Sequence, residues 1–495
     1  MTVQTLTFFA AWPIAVAFLY TLLHYSRQGE ACVIPTLLGD LVVMPKSEVA
    51  WMASESDAIL DADEPHYESI QPDYAFIHPR VLRSPVHFPV VTRDLTRKLG
   101  ELTNAIAEEI SLALEEMWGL DVETWKEIVP FDTLEAIITR ASNRAFVGAE
   151  LCRHPGILAH GKGFSKEVAR SSFALRMTPI VLRPMMAKYI TRRNREHVHK
   201  FIEIVLPVVE ARQKALGLGG EEPSDMIQWL IRNAIRLNDP IEQDPFMISA
   251  RILSLNFAAV NTTTQLLTNA LFDVISPPSS PAIIEAVATE ARSALNEGQG
   301  EWTKEALAGM VRMDSILRES IRLNSFLTVG LTRLVVAPQG VTSPISKTYM
   351  PRGTLCGVPS HAVFNDEDQF QEANVFTPFR YSDIRKPDPQ TPAAHSERKD
   401  SSVDLPAKGP EDLAYIKKAN LACVTTSEDY HPWGHGRHAC RGRFFAVSSM
   451  KLILAHIVLK YDIEMLEERP RMQSVTGAVA APLCSIKVRR KKGTV

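Results

Sequence analysis

The stretch HPWGHGRHACRGR, His431–Arg443, decides how the whole chain is interpreted. It holds one cysteine, Cys440, among glycines and basic side chains, and an apolar run typical of a helix, Phe444–Leu459, follows at once. Glycine allows a backbone to turn tightly and to approach a flat ligand. A cysteine near positive charge and a helix start has a lowered pKa, so its thiolate becomes a good metal ligand. The stretch therefore predicts a metal-binding thiolate in a tight turn.

An isolated cysteine in a glycine-rich turn is more often a small buried apolar residue than a metal ligand. The surrounding residues therefore decide between these two interpretations of Cys440. Trp433, Gly436, His438, Cys440 and Gly442 fall in the order aromatic–x–x–Gly–x–basic–x–Cys–x–Gly. This order resembles the haem-ligand signature of the cytochrome P450 family, with Trp where Phe is usual and His where Arg is usual. The resemblance implies that Cys440 is the axial ligand of a haem b iron, where a thiolate favours O–O cleavage. Trp433, Gly436 and Gly442 would then shape the binding loop.

Glu319 and Arg322 are three residues apart on a predicted helix, 305–323, and so share one face. Such a pair alone is most often an ordinary surface ion pair. Arg380 follows in FTPFRY, 376–381, ahead of the cysteine stretch. These elements in this order resemble the family's Glu–Arg–Arg arrangement behind the haem. The resemblance implies a role in folding and haem retention, for which the planar guanidinium gives fixed hydrogen bonds that lysine cannot copy.

The run Pro245–Ile275 is apolar nearly all round, which predicts one long helix through the core. Its segment AAVNTT, 258–263, resembles the family's oxygen-binding segment. The resemblance implies that the Thr262 hydroxyl supports proton delivery to bound oxygen. Asn261 stands where a carboxylate is usual. The alternative for Thr262 is a hydrogen bond back to its own helix, which is compatible with the catalytic role.

Haem propionates are charged and need partners when buried. The resemblance implies His438 and Arg333 for this role, and leaves the contact from the family's third main helix unassigned. The substrate pocket is placed by position at Asn324–Leu331, at Val475–Ala480, and at Tyr74 and Phe76. These residues are apolar or mildly polar, so we expect a lipophilic substrate.

Composition limits the class of protein further. The chain has 495 residues with 45% hydrophobic and 22% charged content, which is ordinary for a globular protein with a large core. A net charge of −3 argues against nucleic-acid binding. Its six cysteines form no CxxC pair or zinc spacing, which indicates a reducing compartment rather than a disulfide framework.

The N-terminal residues 1–26 contain no Asp, Glu, Lys or Arg and are mostly apolar. This length suffices for a membrane helix. A signal peptide is the alternative, but the basic n-region and a clear cleavage site are lacking. We therefore predict a transmembrane anchor, 1–26, a haem domain, 27–495, and residence in the endoplasmic reticulum membrane with the catalytic domain in the cytoplasm. The basic stretch 183–195 is either a solvated helix face or a surface that enters the membrane interface.

Local patterns complete the prediction of structure. Cys32–Met44 favours a β-hairpin that turns at Gly39 and Asp40. Helical spacing covers 95–118, 125–146 and 165–200, with a break near Pro179 and Pro184. Residues 385–418 are rich in Pro, Ser, Asp and Lys and are predicted to form a polar loop. The fold class is mainly α with a small β portion, as the cytochrome P450 fold implies.

The function implied by the resemblance is a haem-dependent monooxygenase that inserts one oxygen atom from O2 into a lipophilic small molecule. A tailoring step in fungal secondary metabolism is expected, with terpenoid or meroterpenoid skeletons favoured over alkaloids and polyketides. The sequence has no glycine-rich nucleotide-binding motif, so electrons are expected from a separate NADPH–cytochrome reductase. Two alternatives are a haem-thiolate isomerase or dehydratase that needs no external electrons, and a membrane-tethered lipid-binding protein without catalysis.

Overall fold

The computed structural model describes residues 24–36, 39–217, 221–325, 327–385, 420–475 and 478–493. Helices make up most of this part of the chain. Within these ranges ten helices have eight residues or more: α1 Leu99–Trp118, α2 Pro130–Phe146, α3 Pro155–Met177, α4 Arg183–Ile190, α5 Arg192–Ala215, α6 Met226–Leu237, α7 Pro245–Ile275, α8 Ser280–Glu297, α9 Val311–Leu323 and α10 Arg443–Lys460. Shorter helices include Val49–Ser54, Glu64–Ile70, Pro79–Arg83, Lys304–Gly309, Ser360–Phe364 and Ser382–Arg385.

The strands are short and form small sheets beside the helices. They are β1 Cys32–Thr36, β2 Gly39–Val43, β3 Leu60–Asp61, β4 Lys126–Ile128, β5 Gly330–Val335, β6 Val341–Thr342, β7 Tyr349–Met350, β8 Leu355–Val358, β9 Tyr461–Ile463, β10 Gln473–Val475, β11 Ala478–Ala480 and β12 Ile486–Arg490. The largest sheet has the order β1-β2-β8-β5-β3, and β4-β12-β9 form a second. The pairs β6–β7 and β10–β11 are two-stranded. The expected class, mainly α with a small β portion, is confirmed.

Helix α7 is the central element of the fold. The Asp244 side chain accepts a hydrogen bond from the Phe246 N–H at 2.8 Å, and Pro245 occupies the first turn. An acidic N-cap and a proline in the first turn are both favourable starts for a helix. The helix is 31 residues long, and most of its side chains are buried. It packs against α2, α3, α5 and α9, so most side chains on α7 are positioned by the core.

Several boundaries differ from the sequence prediction. Residues Lys126–Ile128, predicted as helix, pair with β12 as a strand, and α2 begins only at Pro130. The hairpin of β1 and β2 pairs Thr36 with Gly39. Its connection therefore falls at 37–38, outside the described residues, and not at Gly39 and Asp40.

The predicted helix 305–323 is two helices, Lys304–Gly309 and α9, with a break at Met310. The helix α3 begins ten residues earlier than the prediction of 165, at Pro155. The prolines do interrupt the helical run, as expected, between Met177 and Arg183. The predicted polar loop, 385–418, lies outside the described residues except for its first position.

No helix of the described ranges is long and apolar enough to cross a bilayer. The predicted anchor, 1–26, lies outside the described residues up to position 23. The anchor therefore remains a prediction, as does the division of the chain into residues 1–26 and 27–495.

Candidate active site

The Cys440 thiol lies at the start of helix α10. The Cys440 N–H donates to the Trp433 carbonyl at 2.6 Å, which closes the loop on itself. The residue Cys440 is exposed to solvent, yet protein surrounds its thiol closely enough that burial raises the pKa of the thiol. Hydrogen bonds from the backbone N–H groups of Gly442 and Arg443 act in the opposite direction on this pKa. Such donors stabilise a thiolate, but burial outweighs them, so the pKa of the Cys440 thiol is raised and not lowered as its position near basic residues and a helix start predicted.

Different structural constraints favour glycine at the individual positions of the loop. Gly434 and Gly436 have φ of 72° and 67°, the left-handed region that glycine adopts without strain. A Cβ on Gly436 would also lie 2.9 Å from the Ala53 carbonyl oxygen. Gly442 has an ordinary φ of −86°, and a Cβ there would lie 4.0 Å from the Cys440 sulfur. Its missing side chain therefore keeps the space beside the sulfur open.

The residues Glu319, Arg322 and Arg380 lie together in one buried network. Arg322 donates to both carboxylate oxygens of Glu319 at 2.9 and 2.8 Å, and neither side chain is exposed at all. Arg380 donates to the same carboxylate through Nε at 3.0 Å. Further guanidinium N–H groups donate to the backbone carbonyls of Phe364 and Ala373 from Arg322, and to the Gln371 carbonyl and the Thr377 hydroxyl from Arg380. The network thus ties helix α9 to the segment 364–380.

The segment of α7 around Thr262 is accessible within an otherwise buried helix. Ala258 and Thr262 are exposed, while Val260 and Thr264 are buried. The Thr262 hydroxyl donates to the Ala258 carbonyl at 2.8 Å, which is the backbone-bonding alternative raised above. Asn261 is half-buried on the same turn. Helix α7 also contacts α10, which carries the Cys440 loop at its start.

Arg333 and His438 both interact with the Asp57 carboxylate. His438 Nε2 is 2.9 Å from the Asp57 carboxylate. Arg333 is 4% exposed, its Nη1 donates to the Thr332 carbonyl at 2.9 Å, and its Nη2 is buried with no hydrogen-bond partner among the described residues. Burial lowers the pKa of Arg333, although Cys356 and Asp57 oppose this. A buried guanidinium with an unused donor fits a carboxylate ligand such as a propionate.

Aromatic side chains pack on Phe257, the residue next to the accessible Ala258 of α7. The rings of Phe76 and Phe257 meet edge-to-face with centroids 5.5 Å apart, and Phe164 packs on both at 5.4 and 6.3 Å. Phe76 was among the predicted pocket residues. Tyr74 packs instead in a separate small cluster with Leu175. The side chains of 473–479 in the predicted late turn are outside those described.

One polar cluster of this region was missed by the sequence reasoning. Asp273 at the end of α7 accepts from Arg469, and Arg469 Nη2 donates to Asn269 at 2.8 Å. One turn nearer Thr262, the Gln265 side chain accepts from the Ala481 N–H at 2.6 Å. These bonds fix the chain on both sides of the β10–β11 hairpin to α7. The signal was present as polar residues at 262, 265, 269 and 273, a helical spacing within an apolar run.

An accessible thiol at a helix start, a buried Glu–Arg–Arg network and an accessible threonine on the central helix define a haem-thiolate type of site. A family model named Cytochrome P450 matches residues 86–485, and the chain belongs to this family of monooxygenases. Cytochrome P450 monooxygenase gloP of Glarea lozoyensis is 32% identical over 487 residues, 95% of this chain and 85% of the relative. The monooxygenase htyF of Aspergillus rugulosus is 32% identical over 474 residues, 93% of this chain and 66% of the relative. The monooxygenase pbrC of Penicillium brasilianum is 27% identical over 482 residues, 94% and 85% of the two chains.

Proposed function

We propose that this enzyme inserts one oxygen atom from O2 into an unactivated C–H or C=C bond of a lipophilic small molecule, as a tailoring step of fungal secondary metabolism. The observation that carries this proposal is the accessible turn of α7, where Ala258 and Thr262 are open beside the rings of Phe76 and Phe257. Aromatic walls suit an apolar skeleton. Terpenoid and meroterpenoid skeletons are the first to assay, followed by alkaloids and polyketides.

Each residue of the site has a different proposed role. Haem, when bound, supplies the activation of dioxygen and the transfer of an oxygen atom. Cys440 would ligate its iron, and Arg333 and His438 would pair with its propionates. Thr262 holds a hydroxyl proton at the open turn, whereas the Asn261 amide does not ionise and cannot act as a general acid. We therefore assign proton delivery to Thr262 together with ordered water.

The test uses the purified holoenzyme with a reductase, NADPH and a panel of lipophilic compounds. We expect consumption of one NADPH and one O2 per product, with an oxygen atom from labelled dioxygen in the product. Product formation without NADPH or O2 consumption would instead identify an isomerase or dehydratase. A purified protein that shows no haem absorbance would favour a lipid-binding protein.

We infer that a separate NADPH–cytochrome reductase delivers the electrons to the face that carries Arg441. Arg441 is exposed, with its guanidinium 5.3 Å from the Phe88 ring centroid. Arg437 and Arg443 are engaged locally, the first with Asp57 at 3.5 Å and the second with the Val424 carbonyl at 2.9 Å. Charges at the rim of an interface govern the association rate and its salt dependence. The side chain available to a partner is therefore Arg441.

The charge reversal Arg441→Glu should slow the first electron transfer, most at low salt, without changing substrate binding. The matched control is Arg292→Glu on the exposed face of α8, where Arg292 is 3.8 Å from Glu285. Stopped-flow reduction across a salt series measures both variants. Equal reduction rates for Arg441→Glu and the parent enzyme at every salt concentration would exclude this docking face.

We also propose that the catalytic domain rests on the endoplasmic reticulum membrane through residues 178–190, the stretch after α3 that includes α4. Its apolar side chains are exposed to an unusual degree: Ile180 75%, Val181 86%, Met185 62% and Tyr189 74%. Arg183 and Lys188 lie among them. Exposed apolar area with basic residues beside it is typical of a surface that enters an anionic lipid interface.

An environment-sensitive dye tests this contact in the full-length protein. The dye is attached to Val181→Cys and, as the matched control, to Leu483→Cys, another exposed apolar position at 60% exposure. Unsubstituted protein corrects for labelling of the native cysteines. On addition of phosphatidylcholine–phosphatidylserine vesicles, we expect a blue shift at 181 and none at 483. Equal responses at the two positions would contradict the proposal.

A further inference from the structure

Arg318 lies on helix α9 immediately before Glu319, and it binds a different part of the chain from the Glu–Arg–Arg network. Its side chain is 4% exposed. Nη1 donates to three backbone carbonyls, those of Asn420 at 3.2 Å, Ala422 at 2.6 Å and Thr425 at 3.3 Å. These carbonyls belong to residues 420–426, which we call the platform segment. One guanidinium thus holds most of a segment that has no regular secondary structure of its own.

Two aromatic rings fix the orientation of this guanidinium. Its Cζ atom is 3.9 Å from the ring centroid of Tyr430 and 4.7 Å from that of Tyr381. Both rings are buried, at 1% exposure each. Cation–π contacts are strongest where water is excluded, and a planar group between aromatic rings has little rotational freedom. The donors of Arg318 are therefore held in a fixed orientation toward the platform segment.

Helix α9 holds the platform segment at a second point. The Cys423 N–H donates to the Asp314 carboxylate at 2.9 Å. The same carboxylate accepts from Arg385 at 2.6 Å and lies 2.8 Å from the Lys451 ammonium on helix α10. Asp314 and Arg318 are four residues apart and so lie on one face of α9. Between them they bind both the N–H and the C=O groups of the platform segment.

The loop that contains Cys440 is in turn attached to the platform segment on both sides of the cysteine. Trp433 Nε1 donates to the Cys423 carbonyl at 2.9 Å, and Arg443 Nε donates to the Val424 carbonyl at 2.9 Å. Arg443 Nη1 also donates to the carbonyl of Cys440 itself at 2.7 Å. His435 Nδ1 is 2.9 Å from the Thr426 hydroxyl. The position of the thiol therefore depends on the position of residues 423–426.

We propose that Arg318 is a positioning residue for the iron-ligand loop: it fixes the platform segment, on which Trp433 and Arg443 fix Cys440. The inference rests on Cys440 being the iron ligand. It adds to the Glu–Arg–Arg network a second connection from α9, which reaches the thiol through the platform segment rather than through residues 364–380. Arg318 does not touch the sulfur, so its loss should change the persistence of the thiolate ligation and not the identity of the ligand.

The test compares the holoenzyme variants Arg318→Met and Arg318→Lys with the parent. The matched control is Arg312→Met, since Arg312 is a half-buried arginine on the same helix whose Cζ lies 5.4 Å from the Phe379 ring centroid. We measure how fast the reduced carbon monoxide complex loses its red-shifted Soret band in mild urea. We expect a loss at least about tenfold faster in Arg318→Met, because one lost hydrogen bond from a charged donor already corresponds to about this factor and the variant loses three. Arg318→Lys should lie between this variant and the parent, because an ammonium restores charge but not the planar donor.

Hydrogen–deuterium exchange provides a readout that does not require bound haem. We expect Arg318→Met and Arg318→Lys to raise exchange in peptides covering 420–443, with α7 and α9 unchanged. If Arg318→Met fails to load haem, the proposal is tested by the Soret decay of Arg318→Lys and by the hydrogen–deuterium exchange of the cofactor-free proteins. Exchange raised throughout the molecule, or both variants equal to Arg312→Met, would overturn the proposal. A parent enzyme without a thiolate spectrum would instead overturn the ligand assignment.

Discussion

At the scale of single residues, the sulfur of Cys440 is the group on which the assignment of a haem-thiolate enzyme depends. It is exposed, whereas Cys152, Cys356 and Cys423 are buried. Burial raises the pKa of Cys356 and of Cys423 to about 12. A buried neutral thiol is a poor metal ligand. The other two cysteines, Cys32 and Cys484, are half-buried and lie outside the glycine loop.

The substitution Cys440→Ala should abolish the red-shifted Soret band of the reduced carbon monoxide complex, because no other thiolate reaches the site. Cys32→Ala and Cys484→Ala are the matched controls and should retain the full band. The measurement is the difference spectrum of each purified variant, normalised to protein. Retention of the band in Cys440→Ala, or its loss in either control, would show that the ligand lies elsewhere.

Thr262 and Thr264 allow a comparison between a hydroxyl with a predicted catalytic role and a hydroxyl with a structural role only. Thr262 and Thr264 both donate to the carbonyl four residues earlier, at 2.8 Å in each case. Only Thr262 is accessible, since Thr264 is fully buried. Thr262→Ala should lower the product formed per NADPH about tenfold or more, with peroxide released instead, because a positioned proton donor is lost. Thr264→Ala loses the same type of helix bond without this effect.

The measurement is the ratio of product and peroxide to NADPH consumed. Asn261→Asp belongs in the same series, since it restores an ionisable group beside Thr262 and should keep or raise the coupling. Full coupling in Thr262→Ala, with a loss in Thr264→Ala, would show that the back-bond to the helix is the property that matters.

Local motifs located these residues, because spacing within a helix or a tight turn places side chains regardless of the rest of the fold. The sequence could not supply their distant partners. The contact of His438 with Asp57, and that of Trp433 with the Cys423 carbonyl, join segments whose proximity depends on the tertiary fold. For the same reason the spacing of Glu319 and Arg322 gave no sign that Arg318, one position earlier, binds a separate segment.

At the scale of elements, the boundaries that sequence predicted well belong to helices with their own start and stop signals. Helix α7 begins at Pro245 and ends at Ile275, as predicted, because Asp244 caps it and prolines 277 and 278 follow its end. Strand β4 was predicted as helix, since its apolar spacing is ambiguous over three residues and only the pairing with β12 decides its conformation.

The Glu–Arg–Arg network is a connection between elements, and Arg380→Lys tests it. The lysine keeps the charge beside Glu319 but cannot also donate to the Gln371 carbonyl and the Thr377 hydroxyl, both bound by Arg380 at 2.7 and 3.0 Å. We expect haem occupancy to fall and the free energy of unfolding to decrease by ~1.5–3 kcal/mol, typical of a lost hydrogen bond from a charged group. Urea unfolding and haem-to-protein absorbance measure both effects.

Arg292→Lys is the control, because its ion pair on α8 is exposed and 3.8 Å long and surface pairs contribute little. The change Glu319→Gln should be more damaging, by ~3–5 kcal/mol, since it leaves Arg322 buried without its counter-charge. Equal stability of Arg380→Lys and Arg292→Lys would mean that the network is not needed for stability.

At the scale of the whole molecule, α7, α9 and α10 form one frame around the site. Helix α9 contacts α7 and α10. It binds the platform segment, to which the cysteine loop is attached, through Arg318, and the segment 364–380 through Arg322. The thiol, the accessible threonine and the buried carboxylate are therefore positioned by a common core rather than by separate loops.

The response of stability to pH is also a property of the whole molecule, because several histidines are buried in the neutral form. Burial lowers the pKa of His87 to about 3, of His431 to about 4 and of His456 to about 3, from 6.5. Nearby cations contribute to the low pKa values, Arg251 for His87 and Lys460 for His456. Below pH 6.5 the unfolded chain binds protons that the folded one does not, so stability is complete above pH 6.5 and decreases as the pH falls toward 4.

Each such histidine adds about 1.4 kcal/mol per pH unit to the slope of the unfolding free energy in this window. His456→Gln removes one titrating group and should lower that slope by about this amount, although the variant is itself less stable at neutral pH. His199→Gln is the control, because His199 is exposed with 74% of its side chain accessible. Urea unfolding at pH values from about 5 to 7 gives the slope for each protein. An unchanged slope in His456→Gln would mean that the His456 imidazole binds a proton in the folded enzyme as readily as in the unfolded chain. The ring, which contacts Trp302, would then be hydrated rather than buried.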